Sequence, residues 1–460
     1  MNAKRTPTGA RARVGLEGLR IAVIGAGPAG LTAAHTLKKL GYRHVTVFER
    51  GEAAGGKACT LEHGGHTYEM GAIWLSSDYE VVNELAAELG IATKAYRIKK
   101  NQVEADGSRM TFSAVAKKKY GAPAVARALL NYAKVRFRYA RVFAPGFAGA
   151  PPEVRASFSE FAETHGFAPL ADMLRAFTVA CGYGYYEEVP AQYLLKLFHW
   201  IVPIALRDAA NEALGLRLPG LVVPEGGSQR IWTELARKLD VRLRSAVTRL
   251  ARTEQGIDLT VNGEVQTFDR VIVSAALDQA STFMEFPADV AGMIKGLRTY
   301  RCHISLVEVE GVERQNTSFF YENMFRKNMG RMLVFGTRYA DTNLFTTNQL
   351  SDGTMPEDEL ERLLEADVAR FGGKVVRVVA KRSWAYFPHF PRELLDAGVY
   401  ERLEALQGKE GIFLVGGTMS FESLEDSARY ARDLVIEHFS DRAAASVASP
   451  ARRRSETLAR

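Results

Sequence analysis

The chain has 460 residues, 47% of them hydrophobic and 25% charged, with a formal net charge of +7. Such a composition belongs to an ordinary globular protein too long for one simple core, so two or three intertwined domains are expected. No apolar run is long enough to span a bilayer, and three cysteines without a C-x-x-C pair argue against a disulfide framework and for a reducing compartment.

The start, "MNAKRTPTGARARVGLEG", is basic but has no apolar stretch, so a secretory signal is not expected. Residues 1–20 carry a net +4 and residues 441–460 a net +3. The body between them is neutral, and the segments 1–18 and 441–460 read as disordered basic tails.

The first predicted strand is "RIAVI", residues 20–24, which reads as a short, fully buried strand. Gly25, Gly27 and Gly30 follow in the order G-x-G-x-x-G. They provide a tight turn, a close approach to a pyrophosphate and close helix–strand packing. A helix from about Pro28 to Leu40 points its N-terminal N–H groups at that anion. A second strand, "HVTVFER", places Glu49 where a carboxylate can bond both ribose hydroxyls. Strand, glycines, helix, strand and acid in this order predict a dinucleotide site.

Just beyond Glu49, Gly55-Gly56-Lys57 offers a second backbone approach to a pyrophosphate, with Lys57 as a point charge. "CTLEHGGHTYEM" reads as a hairpin turning at Gly64-Gly65, which explains His63 and His66 without a metal; no metal set is expected among the nine histidines. From Lys94 to Arg141 there are thirteen Lys/Arg against Glu104 and Asp106. Within this stretch a helix is expected in which Arg127, Lys134, Arg138 and Arg141 share one face, and Leu130, Ala133, Phe137 and Ala140 share another. The segment is either a solvated face or a dock for an anionic membrane or an acidic, lipid-like substrate. Nucleic acid is not expected, because no binding module accompanies the charge.

Further on, "VVPEGGSQRIWTELARKLDVRLRSAVTRL" reads as a turn, an amphipathic helix and a strand around Val247, and "FDRVIVSAALD" supplies a buried strand. "GIFLVGGTMSFESLEDSARYARDLVIEHF" gives a strand, Gly416-Gly417 and a long helix, with Ser423 and Asp426 at capping-box spacing. The N-terminus of that helix is placed to meet a flavin edge that gains negative charge on reduction.

With these segments together, the chain resembles the flavin-containing amine oxidoreductase superfamily over nearly all of residues 20–440. The resemblance implies an α/β fold: a discontinuous Rossmann-like FAD-binding domain (19–75, 222–280 and 405–440) interleaved with an α+β substrate domain (76–221 and 281–404, with the basic helical segment 94–143). It implies FAD contacts at Gly25, Gly27, Ala29 and Gly30, then at Glu49, Gly56 and Lys57. Gly71, Ala72, Ile73 and Trp74 would line the isoalloxazine, Val247 would meet adenine, and Gly417 and Met419 would lie near the far edge. No cysteine falls in the C-terminal flavin segment, so the FAD is expected to be non-covalent.

A narrower resemblance, to the flavin-dependent polyunsaturated fatty acid isomerases of the linoleate type, rests on four stretches. These are "GGKACTLEHGGHTYEMGAI", "CGYGYYEEVPAQYLLKLF", "SWAYFPHFP" and "GGTMSFESLEDSARYARDLV". It implies a redox-neutral shift of double bonds in a dry apolar tunnel, through a hydride that leaves the substrate and returns. Tyr183 and Tyr386 would line the pocket, although plain core packing also accounts for both aromatic stretches. The carboxylate anchor would come from the basic run containing Arg97 and Lys100. In the isomerases an arginine serves there, and Lys100 is the best-aligned residue. Cys181 and Leu206 stand where that family has aromatic residues, which implies a wider pocket.

Three readings stay open: the isomerase, a desaturase or oxidase of an acyl, polyene or amine substrate, and a flavin-binding lipid sensor or carrier. An amine oxidase has less support, because the stretch "RTYRCHISLVEVEG" holds no lysine and Arg301 is its nearest base. The expected location is cytoplasmic, with peripheral contact at the inner face of a membrane.

Overall fold

The computed structural model describes residues 18–96, 99–104, 106–314 and 316–440. Residues 1–17 of the N-terminal basic tail, the whole C-terminal tail (441–460) and Arg97 of the anchor run lie outside the described residues. Five short strands form a parallel sheet in the order Asp240–Arg242, His44–Phe48, Arg20–Ile24, Arg270–Val273, Ile412–Leu414. Ile21, Ala22 and Val23 are fully buried because the sheet is covered by the Pro28–Lys39 helix and by the Glu264–Phe268 strand of a three-stranded antiparallel sheet, whose Phe268 ring meets Phe48. The Pro28–Lys39 helix packs on the C-terminal Leu424–Phe439 helix, so the two ends of the described chain close over one sheet.

A second sheet of seven strands runs in the order Lys374–His389, Arg298–Glu310, Leu344–Ser351, Met332–Gly336, Asn316–Phe320, Lys99–Val103, Arg109–Met110. Its pairs are antiparallel except Asn316–Phe320 with Lys99–Val103. The Ala168–Ala180 helix lies against it, with the Asn348 amide donating to the Ala180 carbonyl at 3.0 Å. Around that helix stand Phe112–Tyr120, Ala122–Arg138 and Ala191–Leu214, the last with Pro203 inside it. Leu75–Ser76, Leu221–Pro224 and Thr93–Ala95 make a small sheet beside this helical layer.

Two local expectations meet the structure differently. The hairpin Thr60–His63 and His66–Glu69 turns through Gly64 (φ 58°) and Gly65 (φ 77°), a left-handed pair that glycine allows without cost. Ser423 caps the C-terminal helix by accepting from the Asp426 N–H at 2.9 Å, but the reciprocal half of a capping box is not made. The Ser423 N–H donates to the Phe421 carbonyl, while Asp426 accepts from the Trp200 indole at 2.9 Å. The aspartate's Oδ2 thus accepts from the Ser423 hydroxyl, at 2.5 Å, and from the buried indole, and leaves the Ser423 N–H to the Phe421 carbonyl.

Candidate functional site

The C-terminal ends of Arg20–Ile24, Arg270–Val273 and Ile412–Leu414 converge on Gly25, Ser274 and Gly416. This is where open α/β sheets bind ligands. A Cβ on Gly30 would lie 2.0 Å from the Gly25 carbonyl oxygen, so only glycine lets the helix cross so close to the turn. Gly56 faces Gly27 from the opposite wall, where a Cβ would come within 3.2 Å of the Gly27 Cα. The Pro28–Lys39 helix starts at Gly27, with Ala29 buried in its first turn. No side chain caps it and no acid lies in that turn. Its leading N–H groups therefore remain available to an anion.

Glu49 closes this cradle. Its two carboxylate oxygens accept from the Ala26 N–H at 2.8 Å and the Gly51 N–H at 2.7 Å. The Ser245 N–H donates to the Glu49 carbonyl at 2.7 Å, which brings the chain leading into Val247 alongside. Gly71 packs on the Lys57 backbone, where a Cβ would lie 1.9 Å from the Lys57 oxygen, and the Ala72 N–H donates to that oxygen at 2.9 Å. Beyond Gly416, Gly417 lies against the Glu422 side chain, Met419 is buried, and the buried Thr418 hydroxyl has no protein partner. Two glycine approaches, an open helix N-terminus, a carboxylate and an orphaned hydroxyl in one groove fit a dinucleotide.

One side chain and one helix start serve other contacts than those expected. Lys57 pairs with Glu422 and lies over the Tyr386 ring, 5.4 Å from its centroid. The helix start offered to the flavin edge already holds two acids in its first turn, Glu425 and Asp426. Asp426 is legible in the sequence as a capping-box partner, whereas Glu425 is one of many surface-like carboxylates until the fold buries it.

Tyr183, Tyr386 and Phe421 form an aromatic cluster on Glu422. Tyr183 stacks on Phe421 at 4.9 Å, and both tyrosine hydroxyls donate to the Glu422 carbonyl, at 3.0 and 3.2 Å. Burial drives both phenols well above their usual range. Next to them, burial also keeps Cys181 as a thiol and pushes the Cys302 thiol up to about 12. Arg301 is exposed and lies against Gly353, away from this cluster.

Two cavities adjoin the flavin-lining segment. A small chamber of about 40 Å³ lies between Ile73, Trp74, Tyr96 and Cys181, with Glu69 and Arg338 on its wall. Glu69 is buried, and desolvation raises its carboxyl above the usual range. It accepts from the Ser228 N–H at 2.9 Å and from the Ser228 and Thr60 hydroxyls at 2.8 and 2.9 Å. The second cavity, of about 950 Å³, runs between the helices around Ala168–Ala180 and is lined largely by apolar side chains, among them Phe112, Leu129, Met173, Phe177 and Leu206. Tyr96 belongs to both walls, and Trp74 stacks on Phe177 at 5.4 Å and lies 5.6 Å from Tyr96. These three rings partition the large cavity from the small chamber. Lys100 lines the large cavity, where Asp208 pairs with it at 2.5 Å. Phe177, Tyr96 and Asp208 had no distinguishing mark in the sequence.

Residues 28–302 match the family model described as flavin containing amine oxidoreductase. Among curated proteins, putrescine oxidase of Kocuria rosea is 39% identical over 95 residues, covering 20% of each chain. A protein named as a flavin-containing monoamine oxidase in Mycobacterium tuberculosis is 26% identical over 254 residues, 52% of this chain and 53% of its own. The chain thus matches about half or less of these relatives' own length. Among solved structures, the CLA-producing fatty acid isomerase from P. acnes aligns with a TM-score of 0.84 at 24% identity, over 92% of this chain and 99% of its own. Cyclohexylamine oxidase from Brevibacterium oxydans aligns with a TM-score of 0.64 at 15% identity, over 94% and 100%. At these identities the structural likeness is one of fold. With the family model covering more than half its length, the chain belongs to the flavin-containing amine oxidoreductases and has FAD as its cofactor.

Proposed function

We propose that the chain is an FAD-dependent isomerase that moves double bonds in an unsaturated, fatty-acid-like substrate into conjugation. The observation that carries this reading is the large apolar cavity ending at the Trp74–Phe177–Tyr96 partition, directly beside the expected isoalloxazine-lining residues. Its volume of about 950 Å³ lies near the top of the range for small-molecule sites (about 300–1,000 Å³) and suits a long flexible chain better than a small amine. The shared fold with a conjugated-linoleate-producing isomerase supports the same reading.

FAD would be held without a covalent link by Gly25, Gly27, Ala29, Gly30, Glu49 and Gly56 at its nucleotide end. Gly71, Ala72, Ile73, Trp74, Gly417 and Met419 would hold it at its ring end, with Val247 against adenine. The chemistry that bound FAD supplies is abstraction of a hydride from a substrate carbon and its return to another. The chain's part is to bind the acyl chain along the cavity, to present one methylene at the partition and to exclude water there. Tyr96 and Cys181 suit that part, because burial holds both in their neutral, protonated forms. Lys100 would hold the carboxylate, with Asp208 giving way to it.

The test is anaerobic incubation of the flavin-loaded protein with linoleate, followed by conjugated-diene absorbance. Many turnovers without oxygen, NAD(P)H or peroxide are expected, with deuterium from the abstracted methylene retained in the product. Turnover that requires oxygen and yields peroxide would replace this reading with an oxidase or desaturase, the activities named for several curated relatives.

A further inference from the structure

Eleven large apolar side chains are exposed among the described residues, and six of them belong to two elements that wall the same cavity. Leu130 and Phe137 lie on the Ala122–Arg138 helix, 66% and 89% exposed. Leu206, Leu214, Leu216 and Leu218 lie at the end of the Ala191–Leu214 helix and in the loop after it. Thr111 and Ser113 donate to Glu212, joining this end of the helix to the start of Phe112–Tyr120. Single exposed leucines need no explanation, but a cluster at the mouth of an apolar cavity does.

The Ala122–Arg138 helix presents its faces in a definite order, at about 100° per residue. Ala128, Tyr132 and Val135 point into the core. Ala122, Val125 and Leu129 line the cavity. Next around the circumference comes an exposed apolar stripe, Leu130, Ala133 and Phe137, and beyond it exposed Arg127, Lys134 and Arg138. The expected separation of apolar and basic faces holds within the helix, but Ala140 and Arg141 lie past its end in the Ala140–Phe143 turn, and the apolar face points outward. Residues 111–150 hold eight Lys/Arg and no Asp or Glu.

An outward apolar stripe flanked by cations is the pattern of a helix lying in a membrane interface. A second copy of the chain would bring the same cations face to face, and a nucleic acid would leave the apolar stripe in water. We infer that this face docks on an anionic lipid bilayer. The Ala122–Arg138 helix lies along the surface, the 214–218 loop dips in beside it, and the cavity mouth opens toward the lipid. Among the described residues no helix is long and apolar enough to cross a membrane, so the seat is peripheral. The docking stands independently of the reaction proposed above, and its test involves no turnover.

The full-length flavin-loaded protein is sedimented with phosphatidylglycerol-containing vesicles and with pure phosphatidylcholine vesicles. Binding to the anionic vesicles is expected, weakening as salt is added. Phe137→Asp should reduce that binding at least about tenfold, and Lys134→Gln with Arg138→Gln should reduce it further. Flavin content and melting temperature should be unchanged, since these side chains are exposed. The proposal is overturned if the wild type ignores anionic vesicles. It is equally overturned if Phe137→Asp binds as well as wild type, which would assign binding to the basic tails. It also fails if Phe137→Asp abolishes a concentration-dependent dimer seen in light scattering without vesicles, since the face would then be a self-interface.

Discussion

Lys100 carries the residue-scale question, because its charge meets a carboxylate before any substrate arrives. Its ammonium lies 2.5 Å from Asp208 in the wall of an apolar cavity, with the lysine side chain mostly buried and the aspartate about half exposed. A substrate carboxylate must compete with Asp208 for a compact point charge, whereas an arginine could serve two partners through its fork. Asp208→Asn should therefore lower KM for linoleate about tenfold, the worth of one charge-assisted hydrogen bond. Lys100→Ala should raise it by a similar factor. Neither change should move KM for methyl linoleate appreciably, and kcat should stay near the wild-type value. Steady-state kinetics on acid and ester check this. A Lys100→Ala effect of equal size on both substrates would make the lysine a packing residue.

At the scale of elements, the short Val81–Glu88 helix is held by a residue from the far end of the chain. The fully buried Glu425 carboxylate accepts from the N–H groups of Glu80, Val81 and Val82 at 2.9–3.0 Å. Burial raises this carboxyl above its usual range, while the three N–H donors oppose the shift. The first turn of an eight-residue helix is thus satisfied by a side chain some 340 positions away. Glu425→Ala should strand three donors and cost on the order of 3 kcal/mol. Glu425→Gln, which keeps an acceptor oxygen, should cost less. Thermal melting of both variants, with amide exchange at Val81 and Val82, measures this. An Ala variant that melts with the wild type would remove the clamp from the account of stability.

For the whole molecule, acid stability follows from histidines buried without charge. Burial lowers His389 to about 4, and its Nδ1–H donates to the Phe387 carbonyl at 2.9 Å. Burial and then Arg136 lower His199 to about 4 as well. In the unfolded chain both titrate near about 6.5. The folded state therefore binds fewer protons than the unfolded state between these values, and its stability falls as pH drops from about 6.5 toward 4. Each such histidine contributes a slope of up to about 1.4 kcal/mol per pH unit in that window. Melting temperatures recorded from neutral pH down to about 4 should decline, and His389→Gln should flatten part of the decline. An unchanged slope in His389→Gln would mean that this imidazole is protonated in the folded protein.

What the sequence determined by itself is whatever depends on neighbours along the chain. Gly25, Gly27 and Gly30 between an apolar strand and a helix, followed by Glu49, specify a nucleotide turn, because strand, turn and helix are set within one continuous stretch. The Gly64-Gly65 hairpin and the Ser423 cap are legible for the same reason. The two faces of the 122–138 helix are legible as periodicity, but periodicity does not say which face meets the core. The structure buries a third face, Ala128, Tyr132 and Val135, and leaves Leu130 and Phe137 outside. The Lys100–Asp208 pair, the Lys57–Glu422 pair, the Glu425 clamp and the Trp74–Phe177–Tyr96 partition join residues 22 to 365 positions apart. Their side chains are ordinary in sequence, and only tertiary packing brings their charges and rings within interaction distance.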